Sequence, residues 1–241
     1  MATSSHGPLG KLPNQPVDML VCFAVKEEAK FFSPLREVRV VKGDREQVRM
    51  RAFCQVWITG MGRTNAARGI REAIAKVKPD RVITAGFAGG LNPKLKVGDI
   101  LYDEDFDAGL ATQLDELGAI SAKFCCHRRV AITAEEKFEL WKETSADAVE
   151  MESSVIRTIC KEFRIPSATI RVISDDAHQD LPLDFNALMT SEDRIDYPKL
   201  IWTVLSRPSR IPKLMEFQRQ TIAASQKLGG VLQDLLQGER G

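Results

Sequence analysis

Three separated stretches carry carboxylates straight after an apolar run: Lys26-Glu27-Glu28, Glu150-Met151-Glu152 and Ser174-Asp175-Asp176. Acids so placed can share the work of breaking a bond to a poor leaving group. One donates a proton, one orients a nucleophile and one steadies developing positive charge. Free Asp titrates at about 3.9, so a useful donor must be raised by burial or by a hydrogen bond. Glu150 and Glu152 stand two apart, and on a strand they would share a face. Two like charges there, beside an apolar helix, cost free energy unless each has a partner. The same spacings also fit plainer roles. Glu150 and Glu152 fit a solvated acidic edge, Glu27 and Glu28 the first turn of a helix, and Asp175 an acid capping a loop.

For the three stretches to meet, the strands before them must end at one sheet edge, where open α/β sheets bind ligands. The pattern predicts a first buried strand over 17–25 and a helical turn at 29–32. Strands at 38–41 and 48–58 would pair antiparallel around Lys42-Gly43-Asp44. Gly60-Met61-Gly62 then opens a helix reaching about Val77. Its G-x-G invites a dinucleotide reading, but the third glycine is missing and the next acid, Asp80, opens the following strand.

Residues 81–85 read as a buried strand running into Gly86-Phe87-Ala88-Gly89-Gly90. That stretch is either a backbone that something approaches closely or a plain tight connection. Lys96-Val97-Gly98-Asp99 leads to a strand ending near Tyr102, and 104–122 reads as a loop with a short helix. A strand is expected at 128–133, a helix at 134–141 and a short strand at 146–151. Val155, Ile156, Ile159, Cys160 and Phe163 follow at helical spacing, until Ile165-Pro166 breaks the helix. A strand at 168–173 hands over to Ser174–His178 as its terminal loop, and 181–194 is irregular. The last part is helical, over 197–205 and 212–236. Strands alternating with helices predict a single α/β domain over 17–241, with a central mixed twisted sheet and helices on both faces. Residues 1–16 read as a flexible N-terminal tail with no apolar signal core.

With 241 residues, 44% apolar and 28% charged, the chain can bury a substantial core. Its 34 Lys and Arg nearly balance 33 Asp and Glu, which argues against a nucleic-acid binder held by bulk charge. Cys22, Cys54, Cys125, Cys126 and Cys160 show no C-x-x-C spacing and read as reduced, mostly buried thiols of a cytoplasmic protein. The vicinal Cys125-Cys126 beside His127 is where a soft metal could bind. No apolar run approaches the roughly 20 residues that a membrane span needs.

Taken as a set, Ala24-x-x-Glu27-Glu28, Gly60-Met61-Gly62-Arg63-x-Asn65-Ala66-Ala67, Gly86-x-Ala88-Gly89-Gly90 with Lys96-Val97-Gly98-Asp99, Glu150-Met151-Glu152 and Ser174-Asp175 resemble the nucleoside phosphorylase/nucleosidase superfamily. Within it the likeness is to the methylthioadenosine/S-adenosylhomocysteine nucleosidases. The resemblance implies a single α/β domain, assembly as a homodimer, and cleavage of the N-glycosidic bond of an adenine-type purine ribonucleoside without a metal or other cofactor. By the same resemblance Asp175 is the general acid that protonates the departing base and Glu28 the base that orients water. Glu152 would hold the ribose hydroxyls, Met151 would pack on the sugar, and Arg171 would lie near the water and the acidic pair. Ala88, with Phe87 and Gly89, would line the sugar and nucleophile side, Phe87 standing where the family has a small serine.

Phosphorylases of this family carry Gly-Asp and an arginine in the first loop, where this chain has Glu28. A carboxylate about 4 Å from a phosphate charge repels it by about 4 kcal/mol at an effective dielectric of about 20. That favours water, while Lys26 and Arg63 leave phosphorolysis as the alternative. A shortened base loop and Phe87 leave a catalytically silent nucleoside-binding module as a third reading. The aromatic that stacks on the base is not recognisable; Phe138 is the candidate. Arg207-Pro208 and Ile211-Pro212-Lys213-Leu214 are similar to the hopanoid-associated branch, thought to act on adenosylhopane. That implies a bulky 5′ substituent and basic, amphipathic C-terminal helices suited to peripheral membrane contact.

Overall fold

A computed structural model of the chain describes residues 18–33, 54–190, 192–193, 196–206 and 208–238. Strand β1 (Met19–Phe23) is apolar throughout because both of its faces are covered. Met19, Val21 and Phe23 enter one core cluster, and Leu20 and Cys22 enter another. Helices α1 (Gly62–Val77) and α4 (Ser153–Glu162) cover the Leu20 face. The opposite face is closed by Leu228, Leu232 and Leu235 of α6 (Ile211–Gly238) and Leu114 of the short α2 (Ala111–Glu116).

Strand β2 (Cys54–Ile58) pairs parallel with β1. The rest of the hairpin expected at 38–58, like the tail over 1–16, falls outside the described residues. The centre of the sheet is the parallel pair β3 (Arg81–Gly90) and β8 (Ser167–Asp175). β4 (Ile100–Glu104) runs antiparallel to β8, and β5 (Ile120–Ser121) extends that side. The order is β2-β1-β3-β8-β4-β5, with β6 (Phe124–Cys126) and β7 (Ala148–Glu150) branching off the end of β3. The sheet is mixed and carries helices on both faces, as the alternation of elements predicts.

Residues 128–133, expected as a strand, form none; the strand in this region is β6. Ala131 instead drops into an apolar cluster with Leu91 and Val149, and Asn186 bonds both main-chain groups of Val130. The helix that follows, α3 (Ala134–Thr144), starts on a capping box between Thr133 and Glu136. Two stretches expected as loops are strand. Gly86–Gly90 continues β3, and Ser174-Asp175 completes β8, whose nine residues are all buried. α5 (Tyr197–Ser206) precedes α6, as predicted.

Candidate active site

The predicted acids gather around the second half of β3. Glu28 lies in the turn after β1. Its Oε2 accepts the N–H groups of Ala24 at 2.9 Å and Val25 at 3.2 Å, and its Oε1 accepts that of Phe87 at 2.9 Å. Burial pushes this carboxyl above its usual range, against the pull of Arg171 and the three N–H groups. Gly86 makes the approach possible. A Cβ there would lie 2.5 Å from Glu28 Oε1 and 2.8 Å from Arg171 Nη1.

Arg171 reaches this cluster from the middle of β8. Its Nη2 donates to Glu150 Oε2 at 2.7 Å and to Thr84 Oγ1 at 3.2 Å. Glu150 ends β7 and also accepts the N–H groups of Glu152 at 3.0 Å and Ser153 at 2.7 Å, and the Ser153 hydroxyl at 2.7 Å. It therefore sits at the amino end of α4, where the helix dipole favours an anion. Burial alone would raise its carboxyl, but the Arg171 guanidinium and the Ser153 donors bring it below the usual range.

Glu152 lies just beyond β7 and has a different environment. Its Oε1 accepts one N–H, from Gly62 at 2.8 Å. Gly62 holds φ +77°, which side chains rarely adopt, so the glycine turn before α1 aims this N–H. Burial pushes Glu152 up to about 7; the Glu150 and Glu28 charges add to this, and Arg171 and Gly62 oppose it.

Asp175 closes β8. The register between β3 and β8 shifts here: Ala88 faces Ile173, but Gly89 faces Asp175, leaving Ser174 as an extra residue. Such a bulge re-aims the side chains beside it. Asp175 Oδ1 accepts the Ser174 hydroxyl at 2.6 Å, and Oδ2 lies 2.5 Å from Lys137 Nζ. A Cβ at Gly89 would stand 3.3 Å from Oδ2, so the carboxyl lies over bare backbone. Phe87, which binds Glu28, and Gly89, which faces Asp175, are two residues apart. That is about 7 Å along the strand.

Ala88 is buried, and its carbonyl lies 3.3 Å from Ser174 Oγ, whose one hydrogen it shares with Asp175 Oδ1. Met151 is half-buried between the two glutamates. Phe87 meets the acids through its N–H, while its ring packs against the core beneath α6. Phe138 is half exposed, with its ring 6.2 Å from Trp141 and 5.2 Å from Lys142 Nζ.

Sequence reasoning missed Lys137; it set Arg171 near the acidic pair without singling out Glu150 as its partner. The available signal for Lys137 was its helical spacing from Leu140 and Trp141, which puts a charge on the stripe that meets the core. Among the described residues no three His, Cys, Asp or Glu side chains are grouped to hold a metal. Cys125 and Cys126 are adjacent on β6, which directs their thiols to opposite faces. A cavity of about 340 Å³ between His127 and α3 is lined by Glu135, Glu136, Glu139 and Glu143, and contains none of the converging acids. No helix among the described residues is long and apolar enough to cross a membrane.

Several solved structures share this architecture. Futalosine hydrolase of Helicobacter pylori matches with a TM-score of 0.63 and 18% identity, covering 92% of this chain and 98% of that one. The 5′-methylthioadenosine/S-adenosylhomocysteine nucleosidase of Helicobacter pylori, solved with butyl-thio-DADMe-Immucillin-A, matches with a TM-score of 0.63 and 17% identity over 93% and 100% of the two chains. The corresponding nucleosidase of Neisseria meningitidis, solved with methylthio-immucillin-A, gives 0.62 and 20% over 91% and 98%. At these identities the likeness is one of fold. The sequence pattern of the phosphorylase superfamily runs through residues 17–116 and 120–205, and with the fold it supports the conclusion that this chain is a member of that superfamily.

Proposed function

We propose that the protein hydrolyses the N-glycosidic bond of a purine ribonucleoside, with adenine as the expected base. The observation that carries this reading is that Glu28 and Asp175 lie over the bare backbone of Gly86 and Gly89, with Glu152 held at Gly62 near the Glu28 and Arg171 charges. Asp175 protonates the departing base. Glu152, once ionised, holds the ribose hydroxyls and steadies the sugar cation. Glu28 orients water and takes its proton, and burial brings it closer to the working pH of a general base. Met151, Ala88 and Gly89 line the sugar, Phe87 contributes its N–H, and Arg171 holds the acidic cluster together.

Water is favoured over phosphate as the nucleophile because Arg171 is already engaged by Glu150 and faces Glu28. A phosphate entering there would meet a carboxylate before a free cation. The test is a nucleoside panel incubated with and without phosphate, following free base and sugar product. Phosphate-independent release of base is expected. Release only with phosphate would make the enzyme a phosphorylase, and tight binding with no release over hours would make it a silent binding module.

The finer reading concerns the C-terminal helices. Ile201 and Trp202 of α5 and Ile211 and Met215 of α6 are exposed beside Lys199, Arg210 and Lys213. That mixture suits peripheral membrane contact and a bulky apolar 5′ group on the nucleoside. A homodimer contact would cover the same residues. Co-sedimentation with anionic vesicles and sedimentation velocity without them separate the two. The five free thiols suit a cytoplasmic setting, with 17–241 as the catalytic domain.

A further inference from the structure

Lys137 has no part in the mechanism above, yet its side chain is wholly buried. Its Nζ lies 2.5 Å from Asp175 Oδ2 and donates to the carbonyls of Asp176 at 2.7 Å and Gln179 at 2.8 Å. Three acceptors match the three N–H groups of an ammonium. The two carbonyls also tie the loop after β8 to α3, which fixes where the Asp175 carboxyl stands.

Asp175 has its own constraint. Oδ1 lies 2.6 Å from the Ser174 hydroxyl, which also reaches the Ala88 carbonyl at 3.3 Å, and Oδ2 faces the Lys137 ammonium. The carbonyls of Asp176 and Gln179 take two N–H groups of Lys137 and the third points at Oδ2, so that oxygen accepts a hydrogen rather than carrying one. A proton that leaves Oδ2 for a departing base must therefore come from Lys137 Nζ. Among the described residues, the side chains at its oxygens are Ser174 and Lys137, and Lys137 is the one on Oδ2, the oxygen over Gly89.

We infer that Lys137 supplies the proton that the base takes away, acting through Asp175; this rests on the hydrolase reading above. As the C1′–N bond breaks, its electron pair passes to the base. One proton moves from Lys137 Nζ to Asp175 Oδ2 and on to a base nitrogen. Asp175 is again a carboxylate and Lys137 a neutral amine. The water oxygen bonds to C1′, and the proton it sheds goes to Glu28. Exchange with solvent then removes the proton from Glu28 and returns one to Lys137. Lys137 touches no substrate in this scheme; it is a positioning residue that loads its neighbour.

The test compares Lys137→Met and Lys137→Arg with wild type on two substrates. One is the purine nucleoside that wild type hydrolyses best. The other is 4-nitrophenyl riboside, whose leaving group departs as an anion and needs no proton. Lys137→Met is expected to lose ~10²–10⁴-fold in purine kcat, with nitrophenyl riboside turnover within a few-fold of wild type. Lys137→Arg keeps a cation beside Asp175 but cannot release its proton, so the same split is expected. This variant decides alone if Lys137→Met does not fold. Equal losses on both substrates would reduce Lys137 to a structural support and overturn the inference. Wild-type purine turnover in Lys137→Arg would overturn it too. Failure of the hydrolase reading looks different, because wild type itself would then release no base from any nucleoside.

Discussion

Arg171 Nη2 lies 2.7 Å from Glu150 Oε2, with both side chains almost wholly buried. This ion pair gives two glutamates in the same tripeptide opposite properties. Glu150 is held below the usual carboxyl range, and Glu152 is pushed up to about 7. Neighbouring acids driven apart in this way take different roles. Glu150 is the strut that keeps Arg171 in place, and Glu152 is the acid that the proposed mechanism assigns to the ribose.

Glu150→Ala should therefore act on stability first. It leaves the Arg171 guanidinium buried without its closest partner and uncaps α4. Breaking a buried pair from one side costs about 3–5 kcal/mol. The shift of the urea midpoint at constant m-value measures it, and a cost well under 1 kcal/mol would remove the strut.

Glu152 predicts a pH dependence of stability. Its carboxyl is raised from 4.5 to about 7 in the folded chain, so between those values the folded state binds the extra proton. The stability this contributes is fully present below the lower value and is lost as pH rises through the upper one. The loss is about 3 kcal/mol. Glu152→Gln keeps an acceptor for Gly62 but does not titrate, so its stability should fall less than that of wild type between pH 5 and 8. Nucleoside affinity should move the other way, rising through about pH 7 in wild type and staying weak and flat in the variant. Chemical denaturation and calorimetry at several pH values give both slopes. Parallel curves for the two proteins would count against the assignment.

Glu28→Gln should reduce both activity and stability. Backbone donors face both of its oxygens, so the amide nitrogen must stand against at least one N–H. A buried donor left unpaired costs about 1–3 kcal/mol. Loss of the base should lower turnover by ~10²–10⁴-fold. Base release and thermal unfolding, followed on the same preparation, check the two effects together.

Asp175→Asn keeps the shape of the side chain but cannot relay a proton. Purine turnover should fall by ~10²–10⁴-fold, while nucleoside affinity changes only several-fold. Near-normal release of base would take Asp175 out of the mechanism.

Gly86→Ala tests the close approach of Glu28. The new methyl would stand 2.5 Å from Glu28 Oε1, and the carboxyl must retreat. A displacement of that order at a reacting group costs about 10²-fold in rate. The variant should fold and bind nucleoside with turnover reduced to that extent, as single-turnover kinetics would register.

Much of the fold was legible in the sequence because each element is patterned locally. The apolar run of β1, the helical spacing in α1, α4 and α6, and the apolar approach to Asp175 follow from which faces must leave water. The strand expected at 128–133 failed because apolar alternation does not say whether a sheet edge is free to receive it. The glycine-rich part of β3 was misread for the converse reason. Glycines usually break a strand, but here the missing side chains make room for Glu28 and Asp175.

By itself the sequence determined the α/β alternation, the acids that follow apolar runs, and a set of motifs that points to one superfamily. Only the tertiary structure decided which acid is neutralised and which is left free. A carboxyl group's proton affinity depends on the charges and N–H groups within a few ångströms, and those come from distant parts of the chain. Arg171 reaches Glu150 from β8, Gly62 reaches Glu152 from α1, and Lys137 reaches Asp175 from α3. None of these meetings is written in local spacing, because each exists only once the sheet has brought its strands to one edge.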